Sequence, residues 1–308
     1  MVHTPRQAKA LVTRYHELGY DLIKAYGYLE HENFKAVIEQ AQMLELPIVK
    51  HGPNAVPGGE LALNQGMQSL EHVEDIFQGP LDFEYDSDKL KAWIDQLSEL
   101  KPVITPTLAT FDHLTQLSAH KASFVETLAL ETLNPVYRQL MSQTSVARWL
   151  NSDTQTADWN KKVLSHLFKI TQALDHAGIT LLVGSDAGTM YMTAGDSTHR
   201  EIELMHQAGL SRLTVLQAAT INAARALKVD NRLGSVTIGK TADLVITQAN
   251  PLQELATLRT PVAVMKNGQW LPSDTLNVLK QSSEQPSNAY LALGRLLEDL
   301  LGRALFHP

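Results

Sequence analysis

The stretch that decides the fold is "LLVGSDAGT", residues 181–189, an apolar run that stops on Gly184, Ser185, Asp186, Ala187 and Gly188. Aspartate is a poor strand former, and a charge at the end of a buried strand has to be paired or bound to a cation. Asp186 therefore raises the question of what other polar groups the chain sends to the same place. Four more short apolar runs read as strands: 21–27 (DLIKAYG), 47–51 (PIVKH), 67–72 (MQSLEH) and 102–108 (PVITPTL), with 179–185 (ITLLVGS) as the fifth. Helical patterns lie between them, near 5–18, 31–44, 87–99 and 159–177, the last ending on Gly178. Thr4-Pro5 is a capping residue followed by a proline in the first turn. Such alternation predicts an α/β fold with a parallel sheet and covering helices.

In a parallel sheet, chemistry collects at the carboxyl ends of the strands. The predicted strands end at Lys24-Ala25-Tyr26, at His51, at Glu71-His72, at Thr105-Pro106-Thr107 and at Asp186. One histidine at a strand end is ordinarily a satisfied polar residue, one lysine a solvated charge, and Asp186 alone could cap a turn. Nitrogen and oxygen donors at several strand ends of one sheet point instead to a divalent cation.

Composition narrows the possibilities. With 308 residues, 44% apolar and 19% charged, the chain can bury a sizeable core. A net charge of −7 argues against a nucleic-acid surface. There is no cysteine, so a metal must be held by nitrogen and oxygen, and twelve histidines are available. No apolar run is long enough to span a bilayer, and the first twenty residues lack the apolar core of a signal peptide. Partners are thus expected to be small molecules, with neither nucleic acid nor membrane; compartment stays unassigned.

Beyond Asp186 the sequence predicts helices over 196–208 and 211–227, and then its texture changes. Residues 233–251 and 261–271 show β-branched alternation with Gly-Lys and Asn-Gly turns. Residues 111–158 read as a mostly helical insertion, 281–289 as a linker and 290–305 as an amphipathic helix. The expected domains are 1–228, a βα part; 229–273, a small β unit; and 274–308, linker and terminal helix.

The segments "SLEHVEDI", "LLVGSDAGT", "LTVLQAATINAARAL" and "LGSVTIGKTADLVITQANPL…VMKNGQ" resemble the amidohydrolase superfamily, close to its imidazolonepropionase-like and prolidase-like branch. The resemblance runs over 5–272 and is most specific from 180 to 268. It implies a (β/α)8 TIM-type barrel with one or two divalent metals, zinc first among them, beside a small β-sandwich. It makes His51 and His72 ligands of one metal, Lys24 the lysine that takes up CO2 and bridges two metals as a carbamate, and Asp186 the carboxylate that binds metal and accepts a proton from the attacking water. The implied reaction is hydrolysis of a C–N bond in a small cyclic amide, dipeptide or N-acyl amino acid. Tyr26, Tyr28 and His199 are candidate substrate contacts, although packing suits the tyrosines and a surface position suits His199 equally well. Arg200 reads as a solvated charge, His113 and His120 as exposed helix surface, and Pro57-Gly58-Gly59 as a turn.

The His-Xaa-His pair of the family's first barrel strand has no counterpart in the sequence. The five strands match the fourth to the eighth, so the expected fold is a partial barrel with a remnant of the sandwich. The sequence leaves three origins open: an internal methionine at position 1, a second polypeptide supplying the rest, or an incomplete barrel that dimerises through its edges. Two other functions stay open with them, a catalytically silent fragment that at most binds a partner, and a phosphoester or lactone hydrolase on the same ligands.

Overall fold

The computed structural model describes residues 2–26, 29–51, 67–98 and 103–284, together with 293, 294 and 297. The chain divides into two compact units, one of residues 1–108, 163–185 and 200–241, the other of 109–162, 186–199 and 242–308.

The first unit is built on a five-stranded sheet whose strands are all parallel and follow one another in chain order. They are β1 (Ile23–Ala25), β2 (Ile48–His51), β3 (Ser69–Glu71), β4 (Val103–Thr105) and β5 (Thr180–Leu181). Among the described residues the sheet does not close into a barrel. The outer face of β1 and β2 packs on α1 (Pro5–Glu17) and α2 (His31–Met43): Ile23, Ala25 and Ile48 share a core with Ala8, Val12, Phe34, Val37 and Ala41. The α1 start is the expected one, with the Thr4 hydroxyl accepting from the Gln7 amide and proline in the first turn.

The strands are shorter than the apolar runs, and the reason is the same at two ends. His72, expected to close the third strand, instead takes a left-handed φ of 71° and leads into α3 (Val73–Gln78). Its amide still donates to Thr105 O at 2.9 Å and that of Val73 to Pro106 O at 3.1 Å, so the chain stays tied to its neighbour while it turns. Thr107 (φ 56°), two residues past β4, does likewise, whereas β5 ends at Leu181, five residues before the left-handed Asp186 (φ 53°). After β5 the Leu182 amide reaches Ile104 O at 2.9 Å and the Val183 amide reaches Ala218 O at 3.2 Å. A helix, α4 (Ser87–Ser98), precedes β4, burying Leu90, Trp93, Ile94 and Leu97.

The second unit contains α5 (Leu108–His120), α6 (Ala122–Val125), α7 (Pro135–Gln143), α8 (Ser145–Leu150) and the first part of α9 (Thr154–His176), so the insertion is helical as expected. The α10 helix (Asp196–Gln207) follows the Asp186 segment. The single helix expected over 211–227 is two, α11 (Arg212–Ala218) and α12 (Ile221–Ala226), broken at Thr220 (φ −133°, ψ −93°). The break lets Asn222 Nδ2 donate to Leu181 O at 3.2 Å, satisfying a carbonyl at the end of β5. The β unit is an antiparallel sheet of β6 (Leu244–Ile246), β7 (Ala263–Lys266) and β8 (Gln269–Pro272), whose last two strands turn at Asn267 (φ 50°) and Gly268 (φ 78°). Residues 281–283, expected in a linker, complete α13 (Ser273–Ser283). Most of 290–305 lies outside the described residues. No helix of the described residues is long and apolar enough to cross a membrane.

Candidate metal centre

Side chains alternate across a strand, and the register decides which of them meet. Lys24 pairs with Val49 and Val49 with Ser69; His51 pairs with Glu71 and Glu71 with Thr105. All of these lie on the face turned away from α1 and α2. On that face the His51 and His72 ring centroids are 4.4 Å apart, Tyr26 lies 4.4 Å from His51, and Lys24 Nζ is 5.9 Å from the Tyr26 ring. Four residues from three strand ends, 24, 26, 51 and 72, are therefore one cluster. A cavity of about 590 Å³ lies on the other side of β1, beside α1 and α2; Lys24 and Tyr26 border it with Val12, Tyr15 and Asn33, but neither His51 nor His72 does.

His72 is the centre of this cluster. Its Nδ1 lies 2.7 Å from the Thr107 hydroxyl oxygen. That hydroxyl has one hydrogen, and it donates it to Pro106 O at 2.7 Å. Thr107 must then accept, so His72 carries its proton on Nδ1 and a lone pair on Nε2. The Nε2 atom is buried and has no hydrogen-bond partner among the described residues. Burial, then His51, then Lys24 push the imidazole pKa down to about 3. A neutral imidazole whose second nitrogen is held by an oxygen and whose first is an open donor fits a divalent cation.

Two residues near the cluster were not foreseen. Asp75 brings Oδ2 within 3.7 Å of His51 Nε2, and burial raises its pKa to about 6 against the pull of Lys50 and Lys24. Lys50, on the helix-covered face, is only 2% exposed; its Nζ stands 5.2 Å over the Phe34 ring and 3.4 Å from His51 O. Burial lowers its pKa to about 8, with Asp75 opposing. The signal for Asp75 was its place three residues after His72, one helical turn on. A buried charge beneath a strand has no such signature.

The other candidates stand differently. Asp186 and His199 belong to the second unit. Asp186 is exposed rather than buried, because the chain leaves the sheet before reaching it. His199 is half-buried in the first turn of α10, its amide donating to Gly195 O at 3.1 Å. Tyr28 and the turn at 57–59 lie outside the described residues. Arg200, read as a solvated charge, pairs with Glu203 at 3.5 Å. His120 is exposed as expected, but His113 is not: it is 9% exposed and bonded through Nε2 to Met190 O at 2.7 Å. Among the described residues no three His, Asp or Glu side chains come together as a metal-binding group; the cluster is two histidines and a lysine.

Known proteins share this fold. The bottromycin amidohydrolase structure superposes with a TM-score of 0.71 at 26% identity, over 92% of this chain and 63% of that one. A Xaa-Pro dipeptidase with bound methionine in its active site gives a TM-score of 0.60 at 19% identity, over 88% and 59%, which speaks for the fold alone. Imidazolonepropionase of Shewanella frigidimarina (strain NCIMB 400) is 44% identical over 66 residues, 20% of this chain and 16% of that protein. Adenine deaminase 4 of Rhizobium meliloti (strain 1021) is 36% identical over 83 residues, 27% of this chain and 13% of that protein. The chain thus spans less than two thirds of the length of each of these proteins. The sheet and its helices are those of part of a TIM-type barrel. With residues 30–271 matched by the model of the amidohydrolase family, the chain belongs to that family.

Proposed function

We propose that this chain hydrolyses a C–N bond in a small amide or dipeptide, using a divalent cation, zinc in the first place, held by His51 and His72. One observation carries the reading: the buried Nε2 lone pair of His72, left open while Thr107 fixes the other nitrogen. A divalent cation supplies polarisation of the scissile carbonyl and acidifies water. Lys24, beside Tyr26 and His72 in the cluster, would take up CO2: its amine nitrogen would bond to the carbon and lose a proton, leaving a carbamate that offers an anionic oxygen to the cation. Asp186 accepts a proton from water and passes it to the leaving nitrogen. Tyr26, exposed and 4.4 Å from the His51 ring centroid at a tilt of 44°, and His199 contact the substrate. The relatives point the same way, since their names speak of amide, imidazolone and dipeptide chemistry.

A second reading has its own observation. Two imidazoles and one lysine are a thin ligand set, and a silent fragment that binds at most a partner chain has the same face. Purified chain dialysed against zinc and bicarbonate separates the two. The enzyme binds zinc stoichiometrically and gains hydrolysis on a panel of cyclic amides, dipeptides and N-acyl amino acids. Phosphoesters and lactones on the same panel test the other bond types. In the active chain, His72→Ala and Asp186→Asn each abolish turnover while leaving the circular dichroism spectrum unchanged. Substoichiometric zinc with no gain in hydrolysis leaves only the silent fragment.

A further inference from the structure

The helical insertion 109–162 has no part in the chemistry so far, yet it grips the segment that carries Asp186. From Asp186 to Gly195 the chain forms neither helix nor strand, and five of its residues are left-handed: Asp186 (φ 53°), Gly188 (97°), Met190 (47°), Tyr191 (73°) and Gly195 (86°). Three of these are not glycine, and each such residue costs on the order of 1 kcal/mol unless its surroundings hold it there. Inside the segment, Gly188 N donates to Met192 O at 3.1 Å and Met192 N to Thr189 O at 2.7 Å. Further ties come from α5 and α7. His113 on α5 lies with Nε2 2.7 Å from Met190 O, and since a carbonyl only accepts, Nε2 carries the proton. The Tyr137 hydroxyl on α7 donates to Gly188 O. Tyr191 returns the contact, its hydroxyl donating to Arg138 O at 3.2 Å. His113 is itself fixed, edge-on to Phe124 at 5.0 Å. Met190, Tyr191 and Met192 are buried.

We propose that His113 and Tyr137 are positioning residues for Asp186: they pin the backbone two and four residues beyond it and so set how its carboxylate is presented. This rests on the reading of Asp186 as the proton acceptor. Neither residue transfers a proton in this scheme; both act through the main chain.

The test uses the full, metal-free chain with 13C-labelled aspartate, in the variants Tyr137→Phe, His113→Leu and His113→Gln. Amide hydrogen exchange over 187–195 is expected to quicken roughly three- to tenfold in Tyr137→Phe and His113→Leu, the population change that losing one ordinary hydrogen bond produces. The Asp186 carboxyl resonance moves with it. His113→Gln, whose carboxamide still donates, restores both. Unchanged exchange and an unmoved resonance overturn the proposal; so does faster exchange spread equally over β2, β3 and β4, which marks general loosening. Neither readout needs metal or turnover. Hydrolysis that survives Asp186→Asn therefore defeats the catalytic reading by itself, and unchanged exchange defeats the clasp by itself.

Discussion

Thr107 shows how much rests on one hydrogen. Its hydroxyl gives that hydrogen to Pro106 O and takes one from His72 Nδ1, and the second bond decides which ring nitrogen is free. Replacing Thr107 with valine keeps the shape and removes both roles. The buried N–H is then unsatisfied on either nitrogen, at a cost of about 1–3 kcal/mol, and the imidazole loses its preference for Nδ1–H. In the metal-free chain, 15N spectra of His72 are expected to report the Nδ1–H tautomer in the parent and in Thr107→Ser, and a mixture in Thr107→Val. Zinc affinity follows, falling roughly ten- to a hundredfold in the valine variant and recovering with serine. A parent spectrum showing Nε2 protonated ends the case for His72 as a ready ligand. The sequence showed His51, His72 and Lys24 because they close apolar runs. It did not show Thr107 as their partner, since that bond joins residues 35 apart and depends on the turn that both chains make after their strands.

At the scale of the element, α5 explains a misreading. Leu108, Phe111, Leu114 and Leu117 give it an apolar stripe, but Asp112, His113, Thr115 and Ser118 are buried as well. A helix buried on most sides leaves no polar face to read, so His113 looked like surface. The helices with one wet face, α1, α2 and α4, were legible within a residue or two, while β3 and β4 were over-read because left-handed turns at His72 and Thr107 cut the apolar runs short. The break at Thr220 was illegible for another reason: its benefit is the Asn222 bond to β5, a contact remote in sequence. The buried state of His113 also gives a pH dependence. Burial lowers its pKa, outweighing Met190 O, Asp112 and Asp196. The unfolded chain thus takes up this proton first as pH falls, so the contribution is complete above about 6.5, the ordinary histidine value, and is lost below it. His113→Gln has no such proton. The stability difference between parent and His113→Gln, measured by urea unfolding, is expected to be largest near pH 8 and to shrink toward pH 5.5. A gap that widens in acid contradicts the assigned burial.

For the whole molecule the question is whether two compact units behave as one. The chain passes between them five times, after residues 108, 162, 185, 199 and 241. Three of these crossings fall inside helices: α5 changes after its first residue, Leu108, α9 belongs to the second unit up to 162 and to the first from 163, and α10 changes at 199. Helix formation propagates cooperatively, because each further residue adds a hydrogen bond without a new nucleation cost. Melting either unit therefore frays a helix that the other needs. Coupling of this kind opposes the separate transitions that multi-unit chains otherwise show. The tryptophans make it measurable, since Trp93 lies in the first unit and Trp149, Trp159 and Trp270 in the second. In urea, the fluorescence midpoint of Trp93→Phe, which reports the second unit, is expected to coincide with its own far-ultraviolet circular dichroism midpoint, which averages both. Insertion of a proline at Leu164, in the middle of α9, should lower both midpoints together, by the ~3 kcal/mol or more that an interior helix proline costs. Two separated transitions in Trp93→Phe, with only one moved by Leu164→Pro, would show instead that the helices merely connect units that fold alone.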